Sequence, residues 1–248
     1  MGSCAGTSSI SANGYGTSFG SASPSRRSAA SCVRCAIASC RRARAITVKP
    51  RAPSRHSKNF PETLANIACE QGVNVAEIEV WFGDEARFGQ KNKITRRWAR
   101  RGTRPSAPRD LRTASAYIFG AICPAQGKAV GLILPWCNTA AMNLQLAAIS
   151  AKVAPGRHAA LLLDQAGWHT TPQLTVPANI SIVPLPAKCP ELNAQENVWQ
   201  FLRENWLSNR IFTCYNDLVD HCCYAWNKLV AQPWTVISLG LRDWAHGS

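Results

Sequence analysis

The sequence predicts an α/β fold, a mixed five-stranded sheet flanked by helices. Three observations carry that expectation. Two apolar segments, "SAYIFGAICP" and "KAVGLILPW", stand on either side of Ala125-Gln126-Gly127, a compact turn signal that favours an antiparallel pair. The run "HAALLLD" is continuously apolar up to Asp164, as in a strand covered on both faces. Strand-like and helix-like patterns then alternate as three strands, helix, strand, short connection, strand, helix, helix, an order suited to one sheet with helices packed on it.

The elements follow in order. "PETLANIACEQG" reads as a short helix with Pro61 in the first turn, Leu64, Ile67 and Ala68 on one face, and Gly72 as its stop. In "AEIEVWFGDEARF", Ile78, Val80 and Phe82 alternate with Glu77, Glu79 and Trp81, a strand expected to close on Asp84. "ITRRWARRGTRP" reads as a basic strand or hairpin arm, followed by the two apolar strands. "NTAAMNLQLAAISAKVAPG" places Met142, Leu146, Ile149 and Val153 at helical spacing and stops at Pro155-Gly156. After the strand ending at Asp164, "ISIVPLP" is a fifth strand. "ELNAQENVWQFLRENWLSNRIF" is then a long helix with Val198, Leu202 and Trp206 on one face, and Trp199 and Trp206 are assigned to the core. A last helix places Tyr215, Leu218, Cys222, Trp226 and Leu229 on one side.

Composition bounds the function. With 248 residues and 46% hydrophobic content, the chain suffices for a substantial core. It shows no run of about 18 apolar residues and no basic start followed by an apolar stretch, so neither a membrane span nor a secretory signal is supported and a cytoplasmic protein is expected, nucleoid-associated if its partner is DNA. Eleven cysteines, mostly single within apolar runs, fit reduced thiols better than a disulfide framework. Cys32, Cys35 and Cys40 cluster, but three thiols without a fourth ligand make a poor zinc site.

The net charge of +14 is unevenly placed. Residues 1–61 hold ten basic and no acidic side chains, and residues 87–112 hold ten basic and one acidic. A polyanionic partner, most simply nucleic acid, follows, with Arg87, Lys91, Lys93, Arg96, Arg97, Arg100, Arg101 and Arg104 as candidate backbone contacts. Trp98 among the arginines either stacks on a base or packs under its own hairpin. Residues 1–57, rich in Ser, Ala, Gly and Arg, are expected to be a disordered or aberrant basic tract, and residues 58–248 one folded domain with a C-terminal helix.

Acids are scarce beyond residue 80, so each one's position is informative. Asp84 and Asp164 end the first and fourth core strands, and Glu196 lies early in the following helix. If those strands are parallel neighbours, both aspartates leave the same sheet edge and the helix can bring Glu196 beside them. Three such carboxylates repel one another unless cations neutralise them, and Mg²⁺ prefers a few carboxylates, waters and substrate phosphates. Two such ions support an in-line phosphoryl displacement. Each residue has a plainer reading: an Asp at a strand end forms turns, and Asn193 with Glu196 makes a capping-box pattern. Glu85 is expected on the opposite face from Asp84, as a structural residue. His169 either orders water or phosphate near Asp164 or caps the next turn.

"VWFGDEARFGQ", "LLLDQAGWHT" and "CPELNAQENVWQFLRENWLSNRIF", in that order, resemble the bacterial insertion-sequence transposases of the mariner-like DDE superfamily over roughly residues 58–245. The resemblance implies a ribonuclease H-like fold and a catalytic, metal-binding triad of Asp84, Asp164 and Glu196, the last two 32 positions apart. It also implies two Mg²⁺ ions with Mn²⁺ as a substitute, supporting residues at His169 and Asn193, and a homodimer acting on terminal inverted repeats and target DNA. Water would cleave at the transposon end, and the freed 3′-hydroxyl would join to target DNA. Two departures stand out. Ala194 replaces the family's frequent second proline, and residues 1–57 carry no helix-turn-helix, reading instead like out-of-frame translation. A ribonuclease H-like nuclease or resolvase, and an idle DNA-binding remnant, are the alternative functions.

Overall fold

The computed structural model describes residues 55–91, 95, 99–103, 106, 109–169 and 171–246, with side chains from residue 59. The clustered Cys32, Cys35 and Cys40 and the basic tract of residues 1–54 lie outside the described residues. Five strands, β1 (Ile78–Gly89), β2 (Ser115–Cys123), β3 (Lys128–Leu134), β4 (His158–Leu163) and β5 (Ile180–Pro184), form one sheet in the order β3-β2-β1-β4-β5. β2 is antiparallel to both β1 and β3, whereas β1, β4 and β5 run parallel. That is the mixed five-stranded arrangement of the ribonuclease H-like fold. β4, buried along its whole length, is flanked by β1 and β5, which is why its sequence is an unbroken apolar run.

Helices cover both faces. On one lie α1 (Arg55–Gln71), α3 (Gln195–Leu202), α4 (Tyr215–Val230), α5 (Pro233–Gly240) and α6 (Asp243–His246), packed over Ile78, Val80, Phe82, Ala86 and Phe88. On the other lies α2 (Thr139–Lys152), whose Met142, Leu146 and Ile149 meet Trp81, Leu161 and Leu163. Asn138 starts α2, its side chain accepting from the Ala141 amide at 2.9 Å. Among the described residues no helix is long and apolar enough to cross a membrane. The seven described cysteines are all free thiols.

Several elements differ from the sequence reading, each for a local reason. β1 does not close on Asp84 but continues to Gly89, because β2 extends the ladder through Gly89↔Ser115 after the pairing with β4 has stopped. α1 begins at Arg55, so Pro61 sits inside it; the missing N–H costs one helical bond, and burial of Phe60, Ile67 and Ala68 holds the helix together. The basic arm shows no strand among its described residues. Arg101-Gly102 instead form a turn, with Gly102 at φ 84° and Thr103 N–H bonding to Arg100 O at 3.0 Å. The long helix after β5 changes at Arg203 into a π-helical turn that ends at Leu207, and α5 and α6 follow the helix expected to be last.

Candidate active site

The register decides where the acids lie. The last β1–β4 pair is Phe82↔Leu162, and two residues further along each chain come Asp84 and Asp164. Parallel strands in register bring both to the same edge of the sheet, Asp84 within β1 and Asp164 immediately after β4. By alternation Asp84 shares the face of Phe82 and Ala86, the face covered by α3. Glu196 is exposed in the first turn of that helix. Asp84, Asp164 and Glu196 all line one cavity of about 360 Å³, together with Gln165, Lys188 and Asn193.

Each acid is held differently. Asp84 is largely buried, and its Oδ2 accepts from Trp199 Nε1 at 2.9 Å. Burial pushes its pKa up to about 7; the Trp199 hydrogen bond opposes the shift, while the charges of Glu85 and Glu196 add to it. Asp164 is open to solvent, its side chain 58% exposed. One oxygen, Oδ1, is 2.8 Å from His169 Nδ1 and 3.1 Å from the Ala166 amide. The His169 hydrogen bond holds Asp164 below the usual carboxylate range, despite its partial burial.

Asn193 settles the start of α3. Its Nδ2 donates to Gly83 O and its Oδ1 accepts from Gln195 N–H, both at 3.0 Å. The expected capping box does not form, because the Asn193 amide bonds to Pro190 O. Asn193 therefore ties the helix to β1 beside Asp84 and leaves Glu196 facing the cavity.

His169 is placed by a short 3₁₀ turn (Gly167–His169) and is 4% exposed. Its second nitrogen, Nε2, is 2.8 Å from Glu85 Oε1, on a side chain 7% exposed. Burial alone would lower its pKa, but the bonds to Asp164 and Glu85 overrule that and raise it to about 10. A buried imidazolium thus joins Glu85 to Asp164. Sequence reasoning set Glu85 aside as structural, and the bridge gives it a part in the site. The one available signal was a histidine five residues past Asp164 in a segment short of other polar partners. Trp199, assigned to the core, is buried there and also holds Asp84; a buried indole N–H needs an acceptor, and that need was the signal.

Among the described residues no three His, Cys, Asp or Glu side chains are drawn together as a ready-made metal cage. The carboxylates share a cavity rather than a coordination sphere. Of the predicted DNA contacts, Arg87, Lys91, Arg100 and Arg101 are exposed, Arg87 also bonding to Ser115 Oγ at 2.9 Å. Lys93, Arg96, Arg97 and Arg104, with Trp98, lie outside the described residues.

Asp84 stands opposite Gly120 on β2, which stands opposite Gly131 on β3. A Cβ on Gly120 would lie 2.6 Å from Trp199 and 2.7 Å from Trp226, so these two glycines form a trough in which the indoles lie. Gly120→Ala is expected to destabilise the protein by about 1–3 kcal/mol through overpacking and to displace Trp199 from Asp84. Thermal unfolding and tryptophan fluorescence would show both effects, and an unchanged melting temperature would contradict the trough.

Residues 79–219 match the model of a family described as DDE superfamily endonuclease. The uncharacterized protein y4pE/y4sA of Sinorhizobium fredii is 63% identical over 133 residues, covering 54% of this chain and 98% of that protein. Among solved structures, the Mos1 strand transfer complex aligns at TM-score 0.45 and 15% identity, over 78% of this chain and 64% of that one. The catalytic domain of Mos1 mariner transposase aligns at TM-score 0.41 and 14% identity, over 77% and 97%. The chain thus spans 64% of the length of the Mos1 chain in the strand transfer complex.

Proposed function

From its membership of the DDE superfamily endonuclease family, we propose that this chain is the catalytic domain of a DNA transposase that cleaves and joins DNA strands at transposon ends. The observation that carries this reading is the cavity into which Asp84, Asp164 and Glu196 open from three different elements. The donor set suits a hard divalent cation: all three are carboxylates, and Asp84 is largely buried beside two other acids, with no cationic partner among the described residues. Asp84, Asp164 and Glu196 would hold the ions, two Mg²⁺ with Mn²⁺ as a substitute, and these would supply the positive charge that activates the attacking oxygen and stabilises the leaving one.

The protein's own groups do the positioning. Trp199 fixes one oxygen of Asp84, and the Glu85–His169 pair fixes one oxygen of Asp164. Asn193 sets the height of α3, and so of Glu196, against β1. Lys188, at φ 61° on the cavity lining, adds a positive charge where phosphate would enter. Arg87, Lys91, Arg100 and Arg101 hold the DNA backbone through non-specific contacts. In the first reaction a water oxygen attacks the scissile phosphorus and the P–O3′ bond breaks, leaving a 3′-hydroxyl. In the second, that hydroxyl attacks a phosphorus of target DNA, its proton passes to solvent and a target 3′-oxygen leaves. The active form is a homodimer that holds two ends.

The test is strand cleavage and joining in Mg²⁺ on DNA carrying the element's terminal inverted repeats together with a target duplex. Asp164→Asn is expected to abolish both reactions. Activity that persists in Asp164→Asn would remove the mechanism, and hydrolysis without joining would assign the chain to the nucleases.

A further inference from the structure

A second polar cavity, of about 330 Å³, is lined by Arg87, Phe88, Lys91, Arg203, Ser208 and Phe212, among others. One aromatic layer separates it from the carboxylates: the Phe88 ring is 6.3 Å from the Trp199 ring, which bonds to Asp84. We propose that this cavity is a seat for a backbone phosphate of the DNA strand that passes through the catalytic cavity, with Arg203 as its central ligand; the assignment rests on the transposase reading.

Arg203 is built for an anion. Its guanidinium lies over the Phe88 ring, 5.1 Å from the centroid, which fixes the plane of the fork while leaving its N–H groups to other partners. Among the described residues no acidic side chain pairs with Arg203, Arg87 or Lys91. Nearby arginines do have such partners: Arg210 pairs with Asp217 at 3.1 Å and Arg112 with Asp110 at 2.6 Å. Three cations converging without a counter-charge repel one another, so an anion between them would be stabilising. The site also sits at a helix irregularity, because Arg203 opens the π-helical turn, a deviation that recurs at functional sites.

One further observation connects this cavity with the basic segment. The basic segment is tied to the rim of this cavity, since Asn209, next to Ser208, accepts from the Thr95 amide at 3.0 Å and donates to Thr95 Oγ1 at 2.8 Å.

The experiment measures binding of a fluorescein-labelled duplex of about 30 base pairs, lacking the terminal repeats, to the full chain in EDTA between about 50 and 200 mM salt. Arg203→Gln and Lys91→Gln are each expected to weaken binding several-fold and to lower the salt slope by about one. Arg203→Lys should keep the slope, and Lys152→Gln, at an exposed position in the last turn of α2, should change neither. Arg203→Met, which removes the charge and keeps an unbranched stem, carries the test if Arg203→Gln fails to fold. Wild-type slope and affinity in both glutamine variants would overturn the phosphate seat, even with strand transfer intact. Reduced slopes in a chain that never joins strands would support the seat and sink the transposase reading instead.

Discussion

Asp84→Asn is expected to abolish strand cleavage while making the folded protein harder to unfold at pH 8. The two effects share one cause. In the folded chain burial, with the charges of Glu85 and Glu196, raises the carboxyl to about 7 from its ordinary 3.8. The stability that protonated Asp84 supplies is fully present below the unfolded value and is lost as pH rises through about 7. At pH 8 without divalent ions the wild type carries a buried, poorly compensated charge costing on the order of 2–4 kcal/mol. Asparagine removes that charge and keeps an oxygen for Trp199. The variant should therefore melt above the wild type at pH 8, with the gap closing toward pH 4. Mg²⁺ should raise the melting temperature of the wild type and leave the variant nearly unmoved. A variant less stable than wild type at pH 8 would show that the Asp84 carboxylate is better compensated than this geometry allows.

His169→Ala should have the opposite sign. His169 is protonated between two acids, with 1% of its side chain exposed, and its removal strands Glu85 at 7% exposure without a counter-charge. Breaking a buried pair in this way costs about 3–5 kcal/mol. The pH dependence follows from a folded pKa of about 10 against an ordinary 6.5. The contribution is complete below about 6.5 and disappears as pH climbs through 10. Wild-type unfolding monitored from pH 6 to 10 should lose stability over that range, and His169→Ala should show a flatter profile. Asp164 would also lose its orienting partner, with a fall in activity of about 10–100-fold. A variant with full stability at pH 7 would leave the bridge without an energetic role.

The parts of this fold that could be read from the sequence are those where one local pattern has one physical solution. The run before Asp164 is apolar because β4 is covered on both faces, and an acid at its end has only the sheet edge to occupy. The hairpin of β2 and β3 follows from its turn, where Gly127 takes φ 61°. What escaped depends on partners far along the chain. β1 passes Asp84 because β2 continues beside it, and nothing within β1 announces that. Glu85 meets His169 across 84 positions, and Trp199 meets Asp84 across 115, so neither bond leaves a spacing signature. The capping-box pattern at Asn193 and Glu196 failed for a nearer reason: the Asn193 backbone N–H bonds to Pro190 O and its Oδ1 accepts from the Gln195 amide.

The trough formed by Gly120 and Gly131 also bears on how such a chain ages. Neither glycine touches substrate in any reading, and both would pass as inconspicuous positions in neighbouring strands. Yet any side chain at either would meet the indole of Trp226, and at Gly120 that of Trp199 as well. In a lineage released from selection, single-base changes at these two codons could therefore silence the chemistry while all three carboxylates remained in the sequence. Inspection of the triad alone would then count such copies as intact.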